Sequence, residues 1–372
     1  MRVLYLITEL DPGGAERNLF RLLRHLKGRI TPLVVSLQPG GEVARWLDSE
    51  GIGTASLDIE SKTELYRLLR LPRVIRRFRP DLIHSFLHHG NLCARLLGRP
   101  FAPVVSSVRV AERERRWHLL TERLTWPLSD AIVCVSEGVK AHLMRSCKVP
   151  SRRLFVIPNC VDIESLEKVE PYPRDAMPAG GKLIVYVGRL TRQKGIRYLL
   201  EALALAPRGN MFDPRQSGNG GPRLPGIRLI LIGKGEAECS LKALAARLGV
   251  ADRVAFVGYR DDAVRWIKGA DLLVLPSLWE GMPNVVLEAM ALGTPVVATR
   301  VEGTREILSD GETGILVEPR DPRTLATAMT RVLSDQHLAA RLVSAAREAV
   351  RQYGCSTMAA RYVRLYETIL DR

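Results

Sequence analysis

Aromatic residues are scarce in this 372-residue chain, at 6% of the total. With no helix-turn-helix, zinc-finger or RNA-binding signature beside it, that scarcity argues against a nucleic-acid reader, which stacks bases on such rings. Cysteines are few and scattered: Cys93, Cys134, Cys147, Cys160, Cys239 and Cys355 form no C-x-x-C pair and no Cys/His cluster at zinc-ligand spacing. Neither a disulfide framework nor a structural metal is indicated, and a reducing cytoplasm fits. No apolar run approaches the roughly 18 residues that a bilayer-spanning helix needs. The opening MRVLYLITELD is too short in apolar residues for a secretory signal core. A cytoplasmic location is therefore expected, with any membrane contact peripheral, at the inner face of the cytoplasmic membrane. The glycine-rich stretches GKGEAE (233–238) and GIGTAS (51–56) both lack the third glycine of G-x-G-x-x-G, which counts against a nicotinamide-dependent oxidoreductase.

The composition is otherwise that of a folded globular protein, 46% apolar and 26% charged. Lys plus Arg number 55 against 40 Asp plus Glu, a formal net charge of +15, which suits an anionic partner such as a phosphate or an acidic membrane surface. Short runs rich in Val, Ile and Leu alternate with stretches of helical periodicity. That pattern predicts parallel strands covered on both faces by crossover helices. The strand candidates are 3–8, 31–37, 82–86, 104–108, 131–136 and 154–158, then 182–188, 227–233, 253–258, 272–277, 295–299 and 314–318. Two sets of six read as two doubly wound α/β units: residues 1–165, residues 166–351, and a closing helix over 352–372 that packs back toward the first unit. Prolines and glycines between Val161 and Lys182 predict a linker there, and those in 207–226 a surface insertion.

Open parallel sheets bind ligands beyond the carboxyl ends of their strands, so the loops there are the places to look for chemistry. Gly13 and Gly14, with Glu16 after them, let backbone approach a ligand at a helix start whose N–H groups suit a phosphate. After KLIVYVG come Arg189 and Lys194, cations able to neutralise a diphosphate without a metal. In SLWEGMPNVVLEAMALGTPVV, the turn Gly281-Met282-Pro283-Asn284 opens a helix, with Glu280 before it and Glu288 two turns on. Two carboxylates so placed reach different hydroxyls of one ligand, and the apolar neighbours of Glu288 mark it as buried, where a carboxylate needs a partner.

Taken together, GGAER, SEGVKAHL, IPNCVD, YVGRLTRQKG, LILIGKGE, FVGY and the block LPSLWEGMPNVVLEAMALGTPVVAT…EGTREIL…GETGILV closely resemble the retaining GT-B glycosyltransferases of glycosyltransferase family four, over essentially the whole chain. The resemblance implies two Rossmann-like domains facing a central cleft. The second takes a nucleoside-diphosphate sugar as co-substrate and the first a saccharide or lipid-linked acceptor. It implies that Arg189 and Lys194 bind the diphosphate, Glu280 the donor sugar and Glu288 the ribose. Gly13 and Gly14 would approach the donor phosphates, and the backbone at Gly233, Gly258, Tyr259 and Arg260 would line the nucleotide. The family's proposed front-side route to retention has the leaving phosphate take the acceptor proton. No cofactor and no metal are expected: the metal-chelating Asp-x-Asp of the other large glycosyltransferase fold is absent.

Where many members carry a His near the donor sugar, this chain has Arg109 after VVSSV, which leaves the group at that point open. His84, His88 and His89 follow the LIHSF strand, and His88 is the preferred acid–base candidate. Six arginines from Arg67 to Arg79, interleaved with leucines, and the segment Arg113–Trp126 predict amphipathic surfaces for an anionic membrane. The expected activity is transfer of a sugar, from a UDP-sugar in preference to GDP-mannose, in cell-envelope, lipopolysaccharide or exopolysaccharide synthesis. A GT-B epimerase or phosphorylase and a basic nucleic-acid-binding protein are the alternatives.

Overall fold

In the computed structural model, residues 1–174, 181–206 and 226–371 are described. Thirteen strands form two all-parallel sheets. The first contains β1 (Arg2–Ile7), β2 (Thr31–Ser36), β3 (Gly53–Ser56), β4 (Leu82–Phe86), β5 (Val104–Val108), β6 (Ala131–Cys134) and β7 (Leu154–Val156) in the order 3-2-1-4-5-6-7. The second contains β8 (Lys182–Val187), β9 (Ile227–Ile232), β10 (Val254–Gly258), β11 (Leu272–Leu275), β12 (Val296–Thr299) and β13 (Ile315–Val317) in the order 10-9-8-11-12-13. Central strands such as VLYLI and LIHSF are buried on both faces, as expected when helices cover a parallel sheet from both sides. Twelve strands coincide with the apolar runs. The thirteenth, β3, is Gly-Thr-Ala-Ser at the sheet edge with no fully buried residue, so it lacks the apolar signature.

The chain divides into one unit of Met1–Cys160 with Tyr353–Arg372 and another of Val161–Gln352. The division thus falls at Cys160, five residues before the expected 165. Within the expected linker the short helix Ile163–Glu167 belongs to the second unit, capped by Asp162, whose carboxylate accepts from Ser165 N. The 207–226 insertion lies, apart from Gly226, outside the described residues.

The closing helix Cys355–Leu370 is part of the first unit's core. It buries Met358, Tyr362, Leu365, Tyr366 and Ile369 against the helix Gly14–His25 and the sheet. Tyr366 reaches β4, its hydroxyl 2.6 Å from His84 Nδ1, while His84 Nε2 lies 2.8 Å from Ser107 Oγ. His84 is therefore a satisfied core residue. Full burial, reinforced by the Arg109 charge, pushes its pKa well below the ordinary value and keeps it neutral.

Candidate functional site

The strand order of the second sheet reverses between β8 and β11, and the loops leaving these two strands hold the sequence-predicted cations and carboxylates together. After β8 the chain turns through Gly188, Arg189 and Leu190 into a 3₁₀ turn, Arg192–Lys194, which ends at Gly195 with φ +61°. Only glycine fits at 195: the conformation is left-handed, and a Cβ there would overlap the Pro276 carbonyl oxygen. That close approach brings the two loops into register. Leu278 N donates to Gln193 O at 2.8 Å, and Gln193 Nε2 donates to Trp279 O at 2.9 Å.

The same loops join side chain to side chain. Lys194 Nζ donates to Glu280 Oε1 at 2.5 Å, and Ser277 Oγ donates to the same oxygen at 2.6 Å. Both bonds converge on Oε1 and leave Oε2 outside them. Glu280 is buried and Lys194 nearly so, which strengthens their attraction relative to a surface pair. Arg189 stands exposed beside them with no ion pair among the described residues, its own carbonyl accepting from Tyr186 Oη at 2.9 Å. Gly281, Met282 and Pro283 are buried in the turn, and Asn284 begins the helix Asn284–Leu292. Glu288 is buried in that helix among Leu287, Ala289 and Met290.

Loops after β9 and β10 close the other side. Gly233 N donates to Gly258 O at 2.8 Å, and Leu190 N to Lys234 O at 2.9 Å. Gly233 and Gly258 have φ +141° and +71°, so backbone rather than side chain forms this rim; beyond it Tyr259 is exposed. Arg189, Lys194, Gly233, Gly258, Tyr259, Glu280 and the 281–284 turn therefore lie at one carboxyl edge of one sheet. Among the described residues no group of three His, Cys, Asp or Glu side chains is arranged to hold a metal ion.

In the first unit, Gly13 caps the helix Gly14–His25 in extended backbone at φ −133°. Its bare Cα makes room for the buried Glu16 carboxylate, which a Cβ at 13 would strike. Packing accounts for Gly13 without a ligand. His88 opens the helix His88–Cys93 and stacks on His118 with ring centroids 3.7 Å apart, Nε2 lying 3.2 Å from Thr121 Oγ1. Burial, then the neighbouring His118 and His89, push its pKa down to about 3. Near neutrality His88 is thus the neutral imidazole, a form that suits an acid–base group as proton acceptor rather than as an imidazolium donor.

His84, His88, His89, His118 and His142 are all held below the ordinary histidine range, in each case first by burial. Above about pH 6.5 folded and unfolded chains are alike unprotonated at these rings. Below it the unfolded chain takes up protons that the folded one refuses, so stability falls with pH. The unfolding midpoint is expected to drop by several degrees between pH 7.5 and pH 5; a flat profile would contradict the assignment of these rings as neutral.

The basic stretch Arg67–Arg79 is not one helix. Residues Lys62–Arg70 form 3₁₀ turns with nothing buried, and the α-helix Leu71–Phe78 begins anew with Pro72 in its first turn. Arg67 turns inward to Glu64 and the Asp58 carbonyl, while Arg70, Arg73, Arg76, Arg77 and Arg79 are exposed. Within 113–126 the α-helix is Arg116–Thr125, followed by a 3₁₀ turn from Trp126. That helix is moored by an ion pair absent from the sequence reading: Arg95, 2% exposed, donates to Glu122 through Nη1 and Nη2 at 2.8 and 2.7 Å. Among the described residues no helix is long and apolar enough to cross a membrane.

Two family descriptions match the chain, Glycosyltransferase Family 4 over residues 12–165 and Glycosyl transferases group 1 over residues 173–349. The phosphatidyl-myo-inositol mannosyltransferase of Mycobacterium leprae (strain TN) is 35% identical, covering 96% of this chain and 94% of its own. The lipopolysaccharide core biosynthesis glycosyltransferase LpsE of Rhizobium meliloti (strain 1021) is 29% identical, covering 95% of each. The crystal structure of Anabaena Alr3699/HepE in complex with UDP superposes with a TM-score of 0.82 at 21% identity, covering 99% of this chain and 100% of that one; at that identity the likeness shows the fold. With two Rossmann-like parallel-sheet units and relatives matched along nearly their whole length, the chain belongs to glycosyltransferase family four, the GT-B glycosyltransferases.

Proposed function

We propose that the protein is a retaining, metal-independent glycosyltransferase that takes a UDP-sugar, in preference to GDP-mannose, and glycosylates a lipid-linked or saccharide acceptor of the cell envelope. The observation that carries this reading is the Lys194–Glu280 pair at the switch point between β8 and β11, beside the exposed Arg189. Breaking a glycosyl–phosphate bond places negative charge on the departing diphosphate and positive charge on the sugar. In this reading Arg189 and Lys194 stabilise the first, and Glu280 Oε2 accepts from a sugar hydroxyl. Glu288 serves the ribose, and the rim of Gly233, Gly258 and Tyr259 the base. The family's front-side route fits, since the leaving phosphate removes the acceptor proton and no nucleophile–base pair is needed.

The envelope setting is supported by relatives named for lipopolysaccharide core biosynthesis and for phosphatidyl-myo-inositol mannosyl transfer. Surface chemistry favours contact with an anionic membrane at its inner face. Eight of the eleven large apolar side chains left exposed among the described residues fall between Leu65 and Met144. Trp117, Leu120 and Leu124 form one stripe on the helix Arg116–Thr125, with Arg116 and Arg123 beside it. Incubation with UDP-sugars or GDP-mannose and a membrane extract in EDTA tests the reading. The expected result is a new glycolipid whose anomeric carbon, by NMR, keeps the donor's configuration. Inversion, or activity only with added magnesium, would overturn it.

A further inference from the structure

Two arginines of the first unit, the buried Arg95 and the half-buried Arg109, are treated differently by the fold. Arg95 is fully satisfied: besides its two bonds to Glu122, Nε reaches Ser129 Oγ at 2.8 Å and Ser106 Oγ at 3.2 Å, and Nη1 reaches Thr125 Oγ1 at 3.1 Å. Arg109, one residue beyond β5, is not. Its Nη1 donates to Asn159 Oδ1 at 2.8 Å and its Cζ lies 5.1 Å from the centre of the Phe86 ring, which fixes the plane of the group. Nε and Nη2 are sheltered from water and have no hydrogen-bond partner among the described residues.

These two nitrogens form one edge of the guanidinium, the edge that binds a carboxylate or phosphate through two parallel bonds. The side chains that feel its charge are His84, Tyr362, Tyr366 and Cys160. Burial keeps the imidazole, the phenols and the thiol all neutral. A second cation is close by, since Arg21 Nη1 donates to Cys160 O at 3.1 Å. A sheltered, anchored cation with an empty fork is costly to maintain without a counter-charge. Strain lies beside it: Leu87, following Phe86 at the end of β4, has φ +63° and ψ +162°, a conformation that a leucine adopts only when its surroundings impose it.

We infer that Arg109 is the oxyanion subsite of the first unit, holding a phosphate or carboxylate oxygen of the molecule that this unit brings to the reaction. This rests on the transferase reading only for the identity of that molecule. A phosphate marks a phosphorylated acceptor and a carboxylate an acidic sugar; the fork accepts either.

The test uses the full chain and the variant Arg109→Met, with the donor site saturated by UDP so that Arg189 and Lys194 are occupied. Inorganic phosphate and sodium glucuronate are titrated separately at constant ionic strength, with unfolding temperature as the readout. Wild type is expected to show saturable stabilisation by one of the two anions, which identifies the source, and Arg109→Met to bind that anion at least about tenfold more weakly. The variant's ligand-free midpoint is expected to match or exceed that of wild type, because an unpaired charge has been removed; a fall of many degrees would mean that Arg109 is structural. Equal anion responses in both proteins, or none beyond chloride in wild type, would overturn the subsite. Failure of the donor reading registers separately, as the absence of any UDP response in either protein.

Discussion

Replacing Lys194 by alanine is expected to lower the transfer rate by about 10²–10³-fold, the effect typical of removing one group that stabilises transition-state charge. The loss belongs mainly in kcat, because charge on the leaving diphosphate grows as the glycosyl bond breaks and Lys194 is held where it meets that growth. Glu280→Ala is expected to abolish measurable transfer for a different reason. It removes the proposed acceptor for a sugar hydroxyl and the partner that holds Lys194 Nζ at 2.5 Å. Each substitution leaves one sheltered partner short of a bond, a destabilisation of about 1–3 kcal/mol, which a unit of this size tolerates. Far-ultraviolet circular dichroism should therefore stay native while turnover collapses. Full turnover in either variant would remove these residues from the site.

Glu122→Ala is the substitution expected to damage the fold most. It strands the Arg95 guanidinium, 2% exposed, without its bidentate acceptor. Breaking a buried pair on one side typically costs about 3–5 kcal/mol. In a unit of this size that corresponds to a midpoint lowered by roughly 6–20 °C. Replacing both partners, as Arg95→Met with Glu122→Leu, should recover most of the loss, because no unpaired charge remains. The pair links the turn after the helix His88–Cys93 to the helix Arg116–Thr125, so Glu122→Ala should also loosen the stripe of Trp117, Leu120 and Leu124. A midpoint within about 2 °C of wild type would show that the pair contributes little.

The strands were legible because a parallel sheet covered on both faces demands continuous apolar runs; β3 was not, because an edge strand with a half-exposed side tolerates Gly-Thr-Ala-Ser. The closing helix was legible, as was its packing on the first unit. Its periodicity gave no hint that Tyr366 bonds His84, a partner 282 residues away. Arg67–Arg79 looked like one amphipathic helix because a spacing of three suits both 3₁₀ and α geometry; Pro72 and the inward turn of Arg67 divide it. At the site, glycines and charges at strand ends could be located from the sequence alone. The bond between Lys194 and Glu280, across 86 residues, was not legible, since only the sheet order makes those two loops neighbours. Arg95 and Glu122 left no signal, being ordinary charged residues in amphipathic segments.

Under the proposed function, the loops after β8 and β11 bind a nucleoside diphosphate without a metal ion. Titration calorimetry of the full chain in EDTA tests it most directly, with UDP, GDP, NAD and a short DNA duplex as separate titrants and Lys194→Ala as the control. Wild type is expected to bind UDP saturably, GDP more weakly and NAD or DNA not at all, and Lys194→Ala to lose at least about tenfold in UDP affinity. UDP binding that requires added magnesium, or that is unchanged in the variant, would contradict it.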